Sequence, residues 1–542
     1  MAVNVPCLIA VIVLYVVILV IGIVAARKTN KTQDSEEVMV ANRHLGLVVA
    51  CFTMTATFVC GGLLNGTAEY AAWHGLLQTQ APLCYTVGVF ISGIVIAPKM
   101  RRERYVTMFD PFQFKYGRKM GSLLIIPHML GDLFWSAAVL AALGATISII
   151  VDINATVSII VSALIAVIYT FLGGLYAVAY TDVIQMVMIA IGMIIAFPFA
   201  LTHPHVHLEN ISDTWLGDVP AGTEWAYFDI ACLLVFGGST WQAVYQRVLA
   251  CKTPKIAMVS TMVASVVAFL MAIPAYMLGI AGAAADWNST SYEGPIPIPE
   301  DQKSNILPLT LTYLVPLPVS IIGLGAISAA VMSSADSCFL SSATILTKNI
   351  YKDIFREKAS DRELLWVLRI CVVICGTLGT VVAVFSTTIY GLFVLCSDLM
   401  YVVLFPQLIS VLWIPWSNTY GSSVGFFVSF TLRILSGDSL LKIPAAIKWP
   451  MYDYVTDTQL FPFRTFAMLV GVSCVIMISG LTHFLFVRGH LSVKYDIFNC
   501  HRQRTHHKHT SSASGVHADE DSYSMIDTIK SDELFNQAKM KL

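Results

Sequence analysis

The chain has 542 residues, of which 56% are hydrophobic and only 12% are charged. Soluble domains usually carry roughly 25% charged residues, so a soluble protein of this length would lack the charge to cover its domains. Lys and Arg number 33 against 34 Asp and Glu, a formal net charge of −1 that gives no basic surface for a nucleic acid. These values exclude an ordinary soluble protein and predict an integral membrane protein with many spans.

Apolar segments of about the 20 residues that an α-helix needs to cross a bilayer recur along the chain. They are continuous rather than alternating with period two, which favours helices over a β-barrel. We therefore predict an all-α integral membrane protein with about 13 transmembrane helices, within a membrane domain of residues 1–487. The predicted spans are residues 5–26, 46–67, 79–98, 121–151, 156–172, 183–201, 228–247, 256–282, 318–347, 366–386, 388–412, 421–436 and 464–487.

The basic residues of the connecting segments predict the orientation. With the N-terminus outside, segments 27–44, 99–120, 247–255 and 348–365 lie inside and hold 19 Lys and Arg, against three in the outer segments. The odd number of spans then places the C-terminus in the cytoplasm. The tail, residues 488–542, is polar and is expected to be disordered. All 12 cysteines lie in apolar runs or on the predicted cytoplasmic side, so no extracellular disulfide framework is expected.

Short motifs add expectations outside the spans. Asn210 and Asn288 begin Asn-x-Ser/Thr sequences in predicted outer loops and are expected to be glycosylated. In the tail, Tyr523 precedes Ile526 by three residues, a spacing that an endocytic adaptor can bind. The run Gly421-Ser-Ser-Val-Gly425 matches the elbow of serine hydrolases, but it opens a predicted membrane helix, so we expect no enzymatic activity.

Two spans are interrupted by paired glycines. The second span contains Gly61-Gly62 and the seventh contains Gly237-Gly238, each flanked by polar residues. Glycine inside a helix costs roughly 1 kcal/mol relative to alanine, and unwound backbone persists at membrane depth where it lines a cavity. The two spans are five apart and run in opposite directions, which predicts a five-plus-five inverted repeat over approximately 46–201 and 228–412, with the substrate site at the breaks. Close helix packing is the alternative explanation of the glycines.

The ninth span contains a run of small and hydroxyl residues from Ser328 to Ser337. Ser333 and Ser334 follow Ala330 by three and four residues, so the two hydroxyls and the Ala330 carbonyl can converge on one point. Oxygen ligands of this kind suit a small cation such as Na⁺. Hydrogen bonding of each serine to its own helix is the alternative.

Tyr85, Trp135 and Trp241 lie within spans rather than at the membrane interfaces, and Phe58 lies beside the first glycine pair. The faces of aromatic rings attract cations, and cages of such rings recognise quaternary ammonium groups. Because 11% of the residues are aromatic, packing explains any single ring better than a site does. The set predicts an organic-cation site if the fold brings its members together.

Several strings resemble the sodium:solute symporter family, and most specifically its choline-carrying branch. The similarity extends from residue 52 to about residue 465. Its clearest strings are Gly173-Gly-Leu-Tyr-Ala177 before Thr181-Asp182, Phe52-Thr-Met-Thr-Ala-Thr57, Asn65-Gly-Thr-Ala-Glu69, Gln246-Arg-Val-Leu249 and Val331-Met-Ser-Ser-Ala-Asp-Ser337.

The resemblance implies a LeuT-like fold and import of choline across the plasma membrane by alternating access, coupled to Na⁺ and dependent on Cl⁻. Such import supplies acetylcholine synthesis, and synaptic or endocytic vesicles are further expected locations. The implied Na⁺ ligands are the carbonyls of Ala56, Val59 and Ala330 and the hydroxyls of Ser333 and Ser334.

The implied choline cage comprises Phe58, Tyr85, Trp135 and Trp241, and the first of these departs from the tryptophan usual in the family. Phenylalanine offers a weaker face to a cation. Two alternatives therefore stay open. The chain is a symporter of another small organic cation or solute, or it is a sensor on the same fold that does not transport.

Overall fold

A computed structural model describes residues 5–29, 35–151, 153–172, 174–386 and 388–500. The described residues are mostly helical. Its strands are β1 (Tyr452–Asp453) and β2 (Thr458–Gln459), which form an antiparallel pair with Tyr452 opposite Gln459. The predicted all-α class is confirmed.

The helices follow the predicted apolar segments closely and add short helices between them. In chain order they are α1 (Val5–Thr29), α2 (Ser35–Val40), α3 (Leu47–Phe58), α4 (Gly61–Gln78), α5 (Ala81–Val95), α6 (Ala97–Arg102), α7 (Asp110–Tyr116), α8 (Arg118–Leu123), α9 (Ile125–Val151), α10 (Ala155–Leu172), α11 (Leu175–Leu201), α12 (Glu224–Cys232), α13 (Gln242–Ala250), α14 (Pro254–Ala283), α15 (Ile306–Tyr313), α16 (Leu317–Ile345), α17 (Asp361–Val384), α18 (Ile389–Leu399), α19 (Phe405–Trp413), α20 (Thr419–Leu435) and α21 (Phe463–Val487). Wider π-helical turns follow α12, α16 and α18, at Leu233–Gly237, Leu346–Phe355 and Met400–Leu404.

Within the described residues, eight helical stretches are long and apolar enough to cross a membrane, or nine when the bent pair α3 and α4 counts as one span. Two shorter apolar helices, Ala81–Val95 and Ala155–Ile168, fall below that length. The predicted seventh span is divided between α12, a π-helical turn and α13, and the twelfth is α20. All thirteen predicted segments are therefore helical, but length and composition do not establish thirteen spans.

Local sequence signals explain where several helices begin. Thr253, Ser360 and Thr388 precede α14, α17 and α18, and each side chain accepts a hydrogen bond from an amide of the first turn. Asn418 does the same for α20. These residues satisfy amides that have no carbonyl partner at a helix start. The Gly421–Gly425 run lies inside α20, so it lacks the strand and turn of a hydrolase elbow.

The helices pack around α16, which is buried without interruption from Gly323 to Ile345. It contacts α9, α11 and α17, while α14 packs along α3, α4 and α5. Helix α18 lies against α4 and α9, and α20 and α21 pair with each other. The two broken spans therefore meet α5, α9, α16 and α18 in the middle of the bundle.

Candidate functional site

The first break lies between α3 and α4. Val59 and Cys60 separate the two helices, which meet at an angle of 44°. A Cβ atom on Gly61 would lie 2.5 Å from the Val331 side chain. The first glycine pair thus lets the break approach α16 closely, so the helix-packing explanation and the site explanation of these glycines both hold.

The second break lies between α12 and α13. Its glycines are at the end of a π-helical turn, and α13 starts only at Gln242. A Cβ atom on Gly237 would lie 2.6 Å from the Ser397 carbonyl oxygen, and one on Gly238 would lie 2.6 Å from the Tyr85 ring. The missing side chains make room for α18 and for a predicted cage residue.

The four predicted cage residues form two ring pairs. Trp135 and Trp241 meet edge to face, with ring centroids 5.0 Å apart. Phe58 and Tyr85 meet in the same way at 5.9 Å. All four side chains are buried, with at most 7% of any residue exposed. The fold thus brings together rings from α3, α5, α9 and the second break.

Cys60 connects the two ring pairs. Its side chain interacts with Trp135 and lies close to Tyr85. Phe393 of α18 extends the aromatic surface, with its ring centroid 5.6 Å from that of Tyr85. Sequence reasoning missed Phe393, although an aromatic residue in mid-span was available as a signal. The Trp241 indole nitrogen is buried and has no hydrogen-bond partner in the described structure.

Two of the predicted Na⁺ ligands, Ala56 and Val59, lie at the first break. The Cys60 amide bonds to the Phe58 carbonyl (2.9 Å), and the Leu63 amide bonds to the Cys60 thiol (3.2 Å). A continuous helix would direct those two amides to the carbonyls of Ala56 and Val59. The break thereby leaves both carbonyls without that bond. Helix α16, which carries the other three predicted ligands, packs against α3 and α4.

The two serines of α16 differ. Ser334 donates to the Ala330 carbonyl of its own helix (2.8 Å). This is the bonding within one helix that we gave as the alternative to an ion site. Ser333 instead donates to the Asp182 carboxylate of α11 (2.6 Å). All five predicted Na⁺ ligands are fully buried. Their donor set is carbonyl and hydroxyl oxygen, the type that a hard cation prefers.

Asp182 is the centre of a polar network that joins four helices. The Thr53 hydroxyl donates to it (2.5 Å), and the Arg247 guanidinium lies 3.4 Å away. Arg247 also donates to Thr53 (3.1 Å) and to Ser337 (2.6 Å). We call Thr53, Asp182, Arg247, Ser333 and Ser337 the Asp182 cluster.

The Asp182 cluster corrects one detail of the orientation argument. Arg247 counts among the 19 basic residues of the inner segments, yet it is fully buried in α13. Asp336 is close enough to interact with both Asp182 and Arg247. Two buried carboxyl groups, those of Asp182 and Asp336, therefore face one guanidinium.

The predicted modification sites lie away from these breaks. Asn210 and Asn288 are both exposed, in neighbouring loops joined by a bridge between Val206 and Ala285. Tyr523 and Ile526 lie outside the described residues. Residues 488–500, assigned to the tail by sequence, contact the helices: the Tyr420 hydroxyl bonds to the Asp496 carboxylate (3.0 Å).

A model of the sodium:solute symporter family matches residues 38–428. The chain belongs to that family. It is a helical membrane protein of a sodium-coupled symporter class, as the resemblance in the sequence implies.

Curated symporters of the same family are similar over most of the chain. The protein named High-affinity choline transporter 1 of Drosophila melanogaster is 46% identical over 501 residues, covering 92% of this chain and 82% of its own. High affinity choline transporter 1 of Homo sapiens is 45% identical over 518 residues, covering 92% and 89%.

Solved symporter structures support the fold. A Na⁺-coupled sialic acid symporter, solved in a substrate-bound outward-open state, matches with a TM-score of 0.72 at 15% identity, covering 88% of this chain and 98% of its own. At that identity the match supports the architecture alone. It confirms the predicted fold class and leaves the roles of individual residues open.

Proposed function

We propose that this chain imports choline across the plasma membrane by alternating access, driven by Na⁺ and dependent on Cl⁻. One observation carries the proposal. The first break frees the Ala56 and Val59 carbonyls from their helical hydrogen bonds, and the Phe58 ring lies between these two residues in the sequence. Because these residues are consecutive or nearly so, a cation held by the carbonyls would fix the position of the ring.

The aromatic surface supports an organic cation as the substrate. Tyr85, Trp135 and Trp241 are buried, and a desolvated contact of a cation with the face of such a ring is worth about 2 kcal/mol. The unpartnered indole nitrogen of Trp241 suits a hydroxyl or other acceptor on the same substrate. The names of the curated relatives favour choline among small ammonium compounds.

Coupling to Na⁺ is supported by the composition of the Asp182 cluster. It holds three hydroxyl groups around a buried carboxyl, and hydroxyl and carboxyl oxygens are ligands that a hard cation prefers. Ser333 joins the cluster to the proposed Na⁺ ligands. The Cl⁻ requirement follows from the family resemblance, without a site assigned to it.

Alternating access requires that the site be closed to each side in turn. On one side of the breaks, Arg247 ties α13 to α3, α11 and α16. On the other, Tyr70 stacks on Tyr390 with centroids 4.0 Å apart, and Glu69 accepts bonds from the amides of Ile389 and Tyr390. We propose that these two contacts separate alternately.

The test is uptake of radiolabelled choline by proteoliposomes containing the purified full chain. An inward Na⁺ gradient should drive accumulation, K⁺ in its place should abolish it, and gluconate in place of Cl⁻ should reduce it. Ser333→Ala should lose accumulation at low Na⁺ concentrations, and Ser341→Ala is the matched control, because Ser341 lies on the same helix and bonds to its own backbone. Absence of Na⁺-dependent uptake in the wild type would reject the proposal.

Phe58 favours a second candidate, a Na⁺ symporter of another small organic cation. A competition panel of ammonium compounds in the same uptake assay separates the two. Displacement of choline by a different solute at much lower concentration would establish the second candidate. Choline binding without any net flux would instead indicate a sensor.

The remaining proposals concern topology and handling in the cell. We place the N-terminus outside and the C-terminus in the cytoplasm, with glycans on Asn210 and Asn288 and an endocytic adaptor at Tyr523 and Ile526. Treatment of cells with a glycosidase should shift the mass of the wild type. It should not shift that of a variant with both asparagines changed to glutamine.

A further inference from the structure

Asp132 of α9 is a buried carboxylate without a cation. It is 2% exposed, and its Oδ2 atom accepts a hydrogen bond from Ser342 and lies 3.4 Å from His128 Nδ1. Its Oδ1 atom has no hydrogen-bond partner, and no Lys or Arg of the described residues lies within ion-pair distance. An ionisable group at membrane depth with an unused oxygen is costly, which marks it as a functional candidate.

A groove opens over this carboxylate between α9, α16 and α17. It has a volume of about 350 Å³ and is lined mainly by apolar side chains. Two of its lining residues, Ile126 and Leu378, are 49% and 52% exposed on the surface that the bilayer covers. The groove therefore faces lipid, with Asp132 as the charged residue among those that line it.

The chemistry of the groove selects its ligand. A small inorganic cation needs several oxygen ligands, and the described residues hold no group of three or more metal-ligating side chains. Choline is too polar to use apolar walls of this extent. A protonated amine with a long apolar body pairs its charge with Asp132 and its body with the walls.

We infer that the groove between α9, α16 and α17 binds a lipophilic amine that enters from the bilayer and pairs with Asp132. This site is distinct from the aromatic cage. His128 connects the two, because its Nε2 atom accepts a hydrogen bond from the Gln242 amide (3.0 Å) and its ring centroid lies 6.3 Å from that of Trp241.

This connection predicts the effect of the ligand, on the premise that the proposed choline uptake is correct. An amine at Asp132 lies beside His128, and a displacement of His128 shifts the start of α13 and with it the preceding residue, Trp241. The amine should therefore lower the maximal rate of uptake without raising the choline concentration at half-maximal rate.

The binding test does not require transport. Tritiated N,N-dimethyldodecylamine is measured on the purified full chain in detergent, with 1-dodecanol as the uncharged competitor of equal chain length. Saturable binding should weaken at least about tenfold in Asp132→Asn, because a charge-assisted bond is lost. Excess choline should not displace the amine. Unchanged binding in Asp132→Asn, equal displacement by 1-dodecanol, or displacement by choline would overturn the inference.

A second variant keeps the test decisive if Asp132→Asn does not fold. Leu378→Trp fills the groove from its lipid side, and Ile370→Trp is the control, since Ile370 is exposed on the same helix and does not line the groove. Leu378→Trp should retain uptake and lose both amine binding and amine inhibition, while Ile370→Trp should retain all three. Amine inhibition that persists in Leu378→Trp would reject the site. If the protein does not transport choline, the measurement of tritiated amine binding still tests the proposed site.

Discussion

Two buried ionic clusters in this protein are built differently. In the first, which we call the Asp398 cluster, Arg433 contacts both oxygens of Asp398 at 2.5 and 2.8 Å, and Arg464 adds a bond of 2.7 Å. The same arginines also contact Asp438 and Asp229. In the Asp182 cluster the guanidinium stands 3.4 Å from the carboxylate, and the short contacts come from hydroxyls.

The difference separates a structural role from an ion-binding role. Bidentate and charge-assisted bonds use the lone pairs of Asp398 and join α18 to α20 and α21. Hydroxyls around Asp182 can turn to offer their oxygens to a cation, which a guanidinium cannot do. We therefore expect the Asp398 cluster to respond to mutation through stability and the Asp182 cluster to respond through Na⁺.

The largest effect is expected from Arg433→Ala. Removing one partner of a buried ion pair leaves an unpaired charge and typically costs about 3–5 kcal/mol. The melting temperature of the purified protein should fall strongly, with or without Na⁺. Arg488→Ala, at an exposed arginine that lies over the Phe484 ring, is the control. An unchanged melting temperature in Arg433→Ala would contradict the structural role that we assign to the Asp398 cluster.

Arg247→Ala should behave differently from Arg433→Ala. It leaves Asp182 without its guanidinium, so the protein should lose stability in Na⁺-free buffer. A cation that binds the folded state stabilises it by mass action, and added Na⁺ should therefore restore much of the loss. The measurement is the melting temperature across a Na⁺ titration. A loss that Na⁺ does not relieve would place Asp182 in a structural role.

Ser333→Ala should have a smaller effect, confined to the ion. It removes a hydroxyl that bonds to Asp182, and a hydrogen bond to a charged group is worth about 1.5–3 kcal/mol, so the Na⁺ concentration for half-maximal uptake should rise about tenfold or more. Ser341→Ala should leave that concentration unchanged. An equal shift in both variants would indicate general loosening of α16.

The smallest effect is expected at Phe58. Tryptophan presents a stronger face to a cation, so Phe58→Trp should raise choline affinity by about twofold to fivefold, and Phe58→Leu should lower it. Neither change should alter the Na⁺ requirement. Competition by choline in the uptake assay measures both. No difference between the two variants would show that this ring does not contact the substrate.

Much of the architecture could be predicted from the sequence, because the bilayer restricts the options. Long apolar runs must be helical, and Gly61-Gly62 and Gly237-Gly238 marked both breaks. The number of spans was harder to predict. Residues 228–247 are one apolar run in the sequence, but the structure divides them into two short helices, α12 and α13, with a π-helical turn between them. The local run of serines could not distinguish Ser333 from Ser334, whose different partners depend on where α11 lies.

Long-range pairing explains what the sequence could not show. Asp182 and Asp398 were recognisable as intramembrane charges, but their partners lie 65 residues away at Arg247, and 35 and 66 residues away at Arg433 and Arg464. No periodicity links such positions. Phe393 is recognisable as an aromatic residue in mid-span, but only the packing of α18 against α4 and the second break brings it to Tyr85.

The central claim is that the first break couples a Na⁺ ion to an organic cation. Equilibrium binding of radiolabelled choline to the purified protein, measured with Na⁺ and with K⁺ as the sole cation, tests it most directly. We expect Na⁺ to raise choline affinity by about tenfold and choline to raise Na⁺ affinity by the same factor. Ser333→Ala should need about tenfold more Na⁺ to reach the same gain in choline affinity. Choline affinity that is equal in Na⁺ and in K⁺ would contradict the account.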